Sequence, residues 1–166
     1  MHFLCVHGTK HLWGSLDMVC DVAGVLRVCP AMDWSAVMAQ ARRSGTRRAV
    51  LLGLQLAHAL LDADTPAHLL QAAKMDPAVQ ALAARSVAYM FREPPTAPSA
   101  WARMRYAYRV SERWRERCWL VRGTLFELTP ADGQAFSLPP MLHPLYRVIR
   151  PFRLLWKHSV GRLTRP

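Results

Sequence analysis

Residues 47–61 read RRAVLLGLQLAHALL, and after the two arginines only Gln55 and His58 interrupt an apolar run. A helix that is apolar almost all the way round has to be enclosed by other elements. It is too short to cross a bilayer, which takes about 20 apolar residues. The rest of the chain must therefore supply its cover. Apolar positions recur at helical spacing on either side of this run, while the short alternating runs that mark strands are nearly absent. The expectation is an all-α fold, a helical bundle of about six to seven helices with a kinked amphipathic C-terminal tail.

Helix punctuation sets the expected boundaries. A first helix runs from about Phe3 to Val28, with Cys5, Leu12, Leu16, Val19, Cys20, Ala23 and Leu26 on one side and Pro30 beyond its end. A second starts at Asp33 as N-cap and stops at Gly45. A third begins at Thr46 and takes in the apolar run to about Leu61. Thr65-Pro66 and Asp76-Pro77 each read as an N-cap followed by a first-turn proline, opening helices that end near Lys74 and Arg92. The stretch EPPTAPS, Glu93 to Ser99, cannot continue a helix. Trp101 to Leu128 then reads as one long helix, and LPPMLHPLYRVIRPFRLLWKHSVGRL as a helical tail broken at Pro144 and Pro151. The expected domains are a helical core over 1–92, a Pro-rich linker over 93–99, and a basic helical region over 100–166 that packs on the core.

With 52% apolar and 20% charged residues in a chain of 166, disorder and fibrous folds are excluded. Cys5, Cys20, Cys29 and Cys118 contain no CxxC pair, which suits reduced thiols and a cytoplasmic protein. Neither a transmembrane helix nor a secretory signal is evident. The net charge is +11 and is unevenly placed. Residues 1–98 hold nine Lys/Arg against seven Asp/Glu, and residues 99–166 hold thirteen against four. The basic half, with Arg103, Arg105, Arg109, Arg113 and Arg117 interleaved with Trp101, Tyr108, Trp114 and Trp119, has two readings. Its arginines either form the wet face of a packed helix or engage nucleic acid or an acidic protein partner. A helical tail over Leu142 to Leu163 could likewise pack inward or lie on an anionic lipid surface.

Chemistry concentrates near the start, in LCVHGTKHLWGSLDMVCD. On one continuous helix His7, Lys10, His11, Gly14, Asp17 and Asp21 would share a stripe about 120° wide. Such a stripe is either a solvated face or a pocket wall. Gly8 and Gly14 favour the wall, because glycine lowers helix propensity and permits close approach of a backbone or a ligand. His7 and His11 stand at i and i+4, where two imidazoles can meet one metal ion, but Gly-Thr-Lys between them is not a zincin pattern and Lys10 repels a cation. An anion such as a triphosphate suits the set better, and no metal site is expected. Asp62-Ala-Asp64 has the form of a Mg²⁺-holding DxD, yet it falls between two helices with no phosphate loop ahead of it. No other catalytic motif occurs, so no catalytic residue is assigned.

The pattern His7-Gly8-x-Lys10-His11-x-Trp13, followed by Leu16 and Asp21, resembles a family of uncharacterised bacterial nucleotidyltransferases in the polymerase-beta-like superfamily. The similarity continues through Asp33-Trp34, RRAVLLGLQLAHALL, DPAVQALA, LTPAD and PLYRVIRPFRLLWKH. It resembles the helical C-terminal half of that family only. The resemblance implies transfer of a nucleoside monophosphate from a nucleoside triphosphate to an acceptor, with His7, Lys10, His11 and Asp21 as nucleotide-binding residues. It also implies an N-terminal α/β domain carrying paired aspartates, with Mg²⁺ and NTP bound only when that domain is present. Nothing in the 166 residues matches that strand. HFLCV opens the chain without a capping residue, as though a helix were entered partway, so a truncated form that is inactive alone is the expectation. The alternative is a non-catalytic basic helical module.

Overall fold

The computed structural model describes residues 1–92, 98–118 and 120. The chain divides into two compact units, Met1–Arg117 and Cys118–Pro166. Among the described residues the first holds seven complete helices: α1 (His2–Lys10), α2 (Leu16–Val28), α3 (Trp34–Arg43), α4 (Arg47–Leu61), α5 (Ala67–Lys74), α6 (Pro77–Met90) and α7 (Ala100–Val110). A further helical stretch begins at 114–118. The described fold is all-α, a bundle built round α4. Positions 93–97 of the proline-rich stretch, and 121–166 with the expected kinked tail, lie outside the described residues.

The apolar run takes the central place. Val50, Leu51, Leu52 and Leu54 in α4 are wholly enclosed, and α1, α2, α3, α5 and α6 all pack against this helix. Val19 and Val22 from α2, Leu69 from α5, and Val79 and Leu82 from α6 complete the core. Full burial of such side chains stabilises the fold by about 1.5–3 kcal/mol each.

Side-chain caps fix several helix starts. Asp33 Oδ1 accepts from the Ala36 amide at 2.9 Å, and Asp76 Oδ1 from Ala78 at 2.9 Å and Val79 at 3.4 Å. Thr65 behaves differently from the expectation: Pro66 holds the cap position, and the buried Thr65 hydroxyl donates to Ala63 O at 3.1 Å. Thr46 precedes α4 without capping it. Its hydroxyl instead meets His2 Nε2 at 2.7 Å and Ser44 Oγ at 2.8 Å, which ties the start of α1 to the α3–α4 turn.

Two expected helices are broken. The one read from Phe3 to Val28 is two, α1 and α2, separated by a turn over residues 11–15. The one read from Trp101 onward stops at Val110, where Ser111 adopts extended backbone and its hydroxyl donates to Ala107 O at 3.0 Å. Leaving the helix there lets Glu112 reach Arg47 at 3.9 Å, while Arg48 Nη1 donates to the Arg109 carbonyl at 3.1 Å. α7 is held to α6 by a buried bond between Tyr106 and Ser86 hydroxyls at 2.8 Å. Burial of that phenol, only partly offset by the Ser86 bond, pushes its pKa well above the usual tyrosine value.

Candidate functional site

The break after α1 is made by one side chain. Leu12 and Trp13 both have positive φ, 59° and 52°, and the Trp13 amide donates to Gly8 O at 2.8 Å. The turn folds the Trp13 indole back over α1 until nothing of it is exposed. A Cβ on Gly8 would fall 2.7–2.8 Å from its ring atoms, and one on Gly53 of α4 would meet the same ring at 3.0 Å and Cys5 Sγ at 2.7 Å. Trp13 is therefore clasped between two glycines on two helices. Left-handed backbone costs a non-glycine residue about 1–2 kcal/mol. Burying an indole of about 200 Å² contributes about 5 kcal/mol, so packing decides the turn. Ser15 then opens α2, its hydroxyl accepting from the Asp17 amide at 3.3 Å.

This geometry sorts the motif. Cys5, Gly8, Thr9, Leu12 and Trp13 face inward, and Thr9 Oγ1 donates to Cys5 O at 2.7 Å. Burial pushes the Cys5 thiol up to about 12, against a small opposing effect of the N-terminal charge, so it is inert as a nucleophile at neutral pH. His7, Lys10 and His11 face outward at the C-terminal end of α1, all exposed. The His7 and His11 rings lie 4.6 Å apart between centroids, and the ring of Phe3, 73% exposed, stacks on His7 at 5.9 Å. Asp17 and Asp21 belong to α2, not to the helix that carries the histidines. Asp21 is exposed, and no hydrogen bond or ion pair joins it to His7, Lys10 or His11 among the described residues.

The continuous stripe read from a single helical wheel is thus replaced by a cluster of three residues on α1 and a separate carboxylate on α2. Gly8 has a packing explanation, the close approach of Trp13, in place of a ligand. Phe3 was missed by the sequence reading, although Phe3, His7 and His11 recur at four-residue spacing and could have been found together.

The paired aspartates at the end of α4 take separate structural places. Asp62 is the left-handed C-cap of α4, with φ 48°, and Asp64 lines a cleft of about 180 Å³ with Leu26, Cys29, Pro30, Trp34 and Pro66. Among the described residues no group of three or more His, Cys, Asp or Glu side chains converges. Mg²⁺ coordinated by several oxygens has no fit in this set. No described helix is long and apolar enough to cross a membrane.

Outside this end of the molecule, a polar junction joins three elements. Arg48 Nε donates to Asp76 Oδ2 at 2.9 Å, so Asp76 both caps α6 and anchors α4. Burial works to raise the Asp76 pKa. The hydrogen bond and charge of Arg48, with the Ala78 and Val79 amides, outweigh it and hold the carboxyl below the usual carboxylate range.

Residues 1–62 match the model of a family described as uncharacterised nucleotidyltransferases, which bears out the resemblance over that span. The matched span is α1 to α4 with the Asp62 cap. No curated protein and no solved structure matches the chain.

Proposed function

We propose, on the premise of that family match, that the chain is the helical portion of a nucleotidyltransferase which moves a nucleoside monophosphate from an NTP to an acceptor. The observation that carries this reading is the coincidence of the matched span with the outward cluster His7, Lys10 and His11. Lys10 supplies a fixed positive charge for a phosphate, and the imidazoles supply N–H donors beside it. These three stand at a helix C-terminus, where the backbone dipole favours cations, so attraction for an anion falls to Lys10 itself. Asp21, on α2, is assigned to the same nucleotide site as a second polar group. The metal-holding carboxylates belong, in this reading, to an α/β domain that acts with the chain, and Mg²⁺ would bind there with the nucleotide.

Lys10→Glu tests the reading directly. Titrating a protein that joins this chain to the α/β domain with a fluorescent ATP analogue, the dissociation constant should rise about tenfold or more, the loss of one charge-assisted contact. An unchanged constant overturns the assignment.

A second reading has its own observation. α7 exposes Trp101, Arg105 and Tyr108 on one face, and the Arg117 guanidinium lies 5.0 Å over the Tyr108 ring. Such a face suits a nucleic-acid backbone with stacked bases, or an acidic protein. Binding of single-stranded RNA at low salt that weakens steeply as salt rises would support it, and no binding at low salt would end it.

A further inference from the structure

The outward end of α1 holds two imidazoles in an arrangement that the anion reading does not require. Their ring planes are tilted by 51°, and their centroids are 4.6 Å apart. A metal bound through ring nitrogen lies in the plane of each ring, about 2.0–2.1 Å from nitrogen and hence about 3.2 Å from the ring centre. For a nitrogen–metal–nitrogen angle of about 90–110°, the two ring centres then stand about 4.5–5.2 Å apart. The observed separation falls inside that interval. The tilt is compatible with the same arrangement. Parallel stacked rings have no line in common, whereas planes inclined at 51° intersect, and a metal on that line is in plane with both.

Three further features support the same conclusion. Neither imidazole is engaged by a hydrogen bond or ion pair among the described residues, unlike His2, bonded to Thr46, and His58, whose Nδ1 is 3.3 Å from Ala63 O. The backbone bond from His11 N to His7 O, 3.1 Å, keeps the pair in helical register up to the end of α1. That end carries the negative pole of the helix, which favours a cation. Phe3, stacked on His7 at an interplanar angle of 20°, restricts the ring that would bind.

We propose that His7 and His11 chelate one borderline divalent transition-metal ion, of the Zn²⁺ or Ni²⁺ class, at the solvent face of α1. Imidazole nitrogen selects such ions over Mg²⁺ or Ca²⁺. Among the described residues no third ligand converges on the pair, so the remaining coordination positions are open to water or to an oxygen of an incoming ligand. Lys10, exposed on a flexible stem beside the pair, opposes the ion by charge repulsion and limits its affinity. The proposal stands on ring geometry and is independent of the family reading.

The test uses the full chain and Zn²⁺ itself. Alkylation first blocks the exposed thiols of Cys20, Cys29 and Cys118, which would otherwise take up zinc. Competition with a chromophoric chelator then measures affinity for the wild type, for His7→Ala, His11→Ala and Lys10→Glu, and for His68→Ala, a control at an exposed position of α5. The two α1 histidines are exposed, so their removal leaves the core intact. Each should lower affinity by about tenfold or more, since losing a ligand costs at least what losing an outer-shell partner does. The His68→Ala variant should bind as the wild type, and Lys10→Glu should bind zinc several-fold more tightly while binding the ATP analogue more weakly. Wild-type affinity in either His7→Ala or His11→Ala overturns the chelate, as does a failure of the wild-type chain to bind. The opposite signs expected for Lys10→Glu separate this result from the fate of the nucleotide reading.

Discussion

Near its middle, α4 meets the turn after α1 through Gly53, where the Trp13 ring and the Cys5 sulfur come so close that a single added carbon would collide with both. At its start the same helix meets α6 and the end of α7 through Arg48, whose guanidinium takes Asp76 Oδ2 and the Arg109 carbonyl. The first junction has shape and almost no polarity: Trp13 Nε1 is buried without a partner among the described residues. The second has directed, charge-assisted bonds and half-buried groups. A junction of the first kind should register volume and ignore pH, and one of the second kind should do the reverse.

The largest expected effect is at the first junction. Trp13→Ala should lower stability by about 3–5 kcal/mol in urea unfolding followed by circular dichroism. Gly8→Ala alone should cost about 1–3 kcal/mol, because the Cβ presses into the indole. In the Trp13→Ala background the same glycine change should become neutral, or stabilise by up to about 1 kcal/mol through helix propensity. Equal costs in both backgrounds would mean that the ring does not explain the glycine.

Smaller and pH-dependent effects belong to the second junction. The Asp76 carboxyl sits below its ordinary pKa in the folded chain, so its contribution is present above the ordinary value near about 3.9 and is lost as pH falls through the folded one. Asp76→Asn should therefore cost about 1–3 kcal/mol at pH 7, with the gap to wild type closing in acid. Glu112, beside Arg47, has the opposite sign. Burial raises its pKa, and the charges of Arg47 and Arg48 only partly offset this. Its protonated form is the one the fold favours, so that contribution is present below about 4.3 and lost as pH rises through the raised value. Glu112→Gln should match the wild type at pH 7 within about 1 kcal/mol. Two carboxylates in one junction that respond with the same sign would contradict this account.

The sequence carries the all-α class and the central place of RRAVLLGLQLAHALL, because a run apolar on nearly every side has few ways to be satisfied. Asp33 and Asp76-Pro77 announce their helices by local chemistry that the structure repeats. Gly45, with φ 67°, ends α3 as its sequence position suggests. The break at Leu12 and Trp13 was not legible, since the apolar wheel continues through it and the reason for the turn, Gly53, lies forty residues downstream. For the same reason Gly8 read as a place for a ligand. The Arg48–Asp76 bond spans 28 positions and leaves no local signature. At the candidate site, the grouping of His7, Lys10 and His11 was readable but the separation of Asp17 and Asp21 from them was not, because a wheel assumes the very helix that Trp13 interrupts.

Trp13 has a consequence for how this sequence can drift over generations. Gly8 and Gly53 are far apart in the chain, yet both are confined by the same indole. Either glycine takes on a larger side chain only at a cost in stability while the ring stands. A lineage that replaces the tryptophan with something small releases both at once, and afterwards larger residues at either position bar the way back. Three letters scattered over the matched segment thus constrain one another as a single unit.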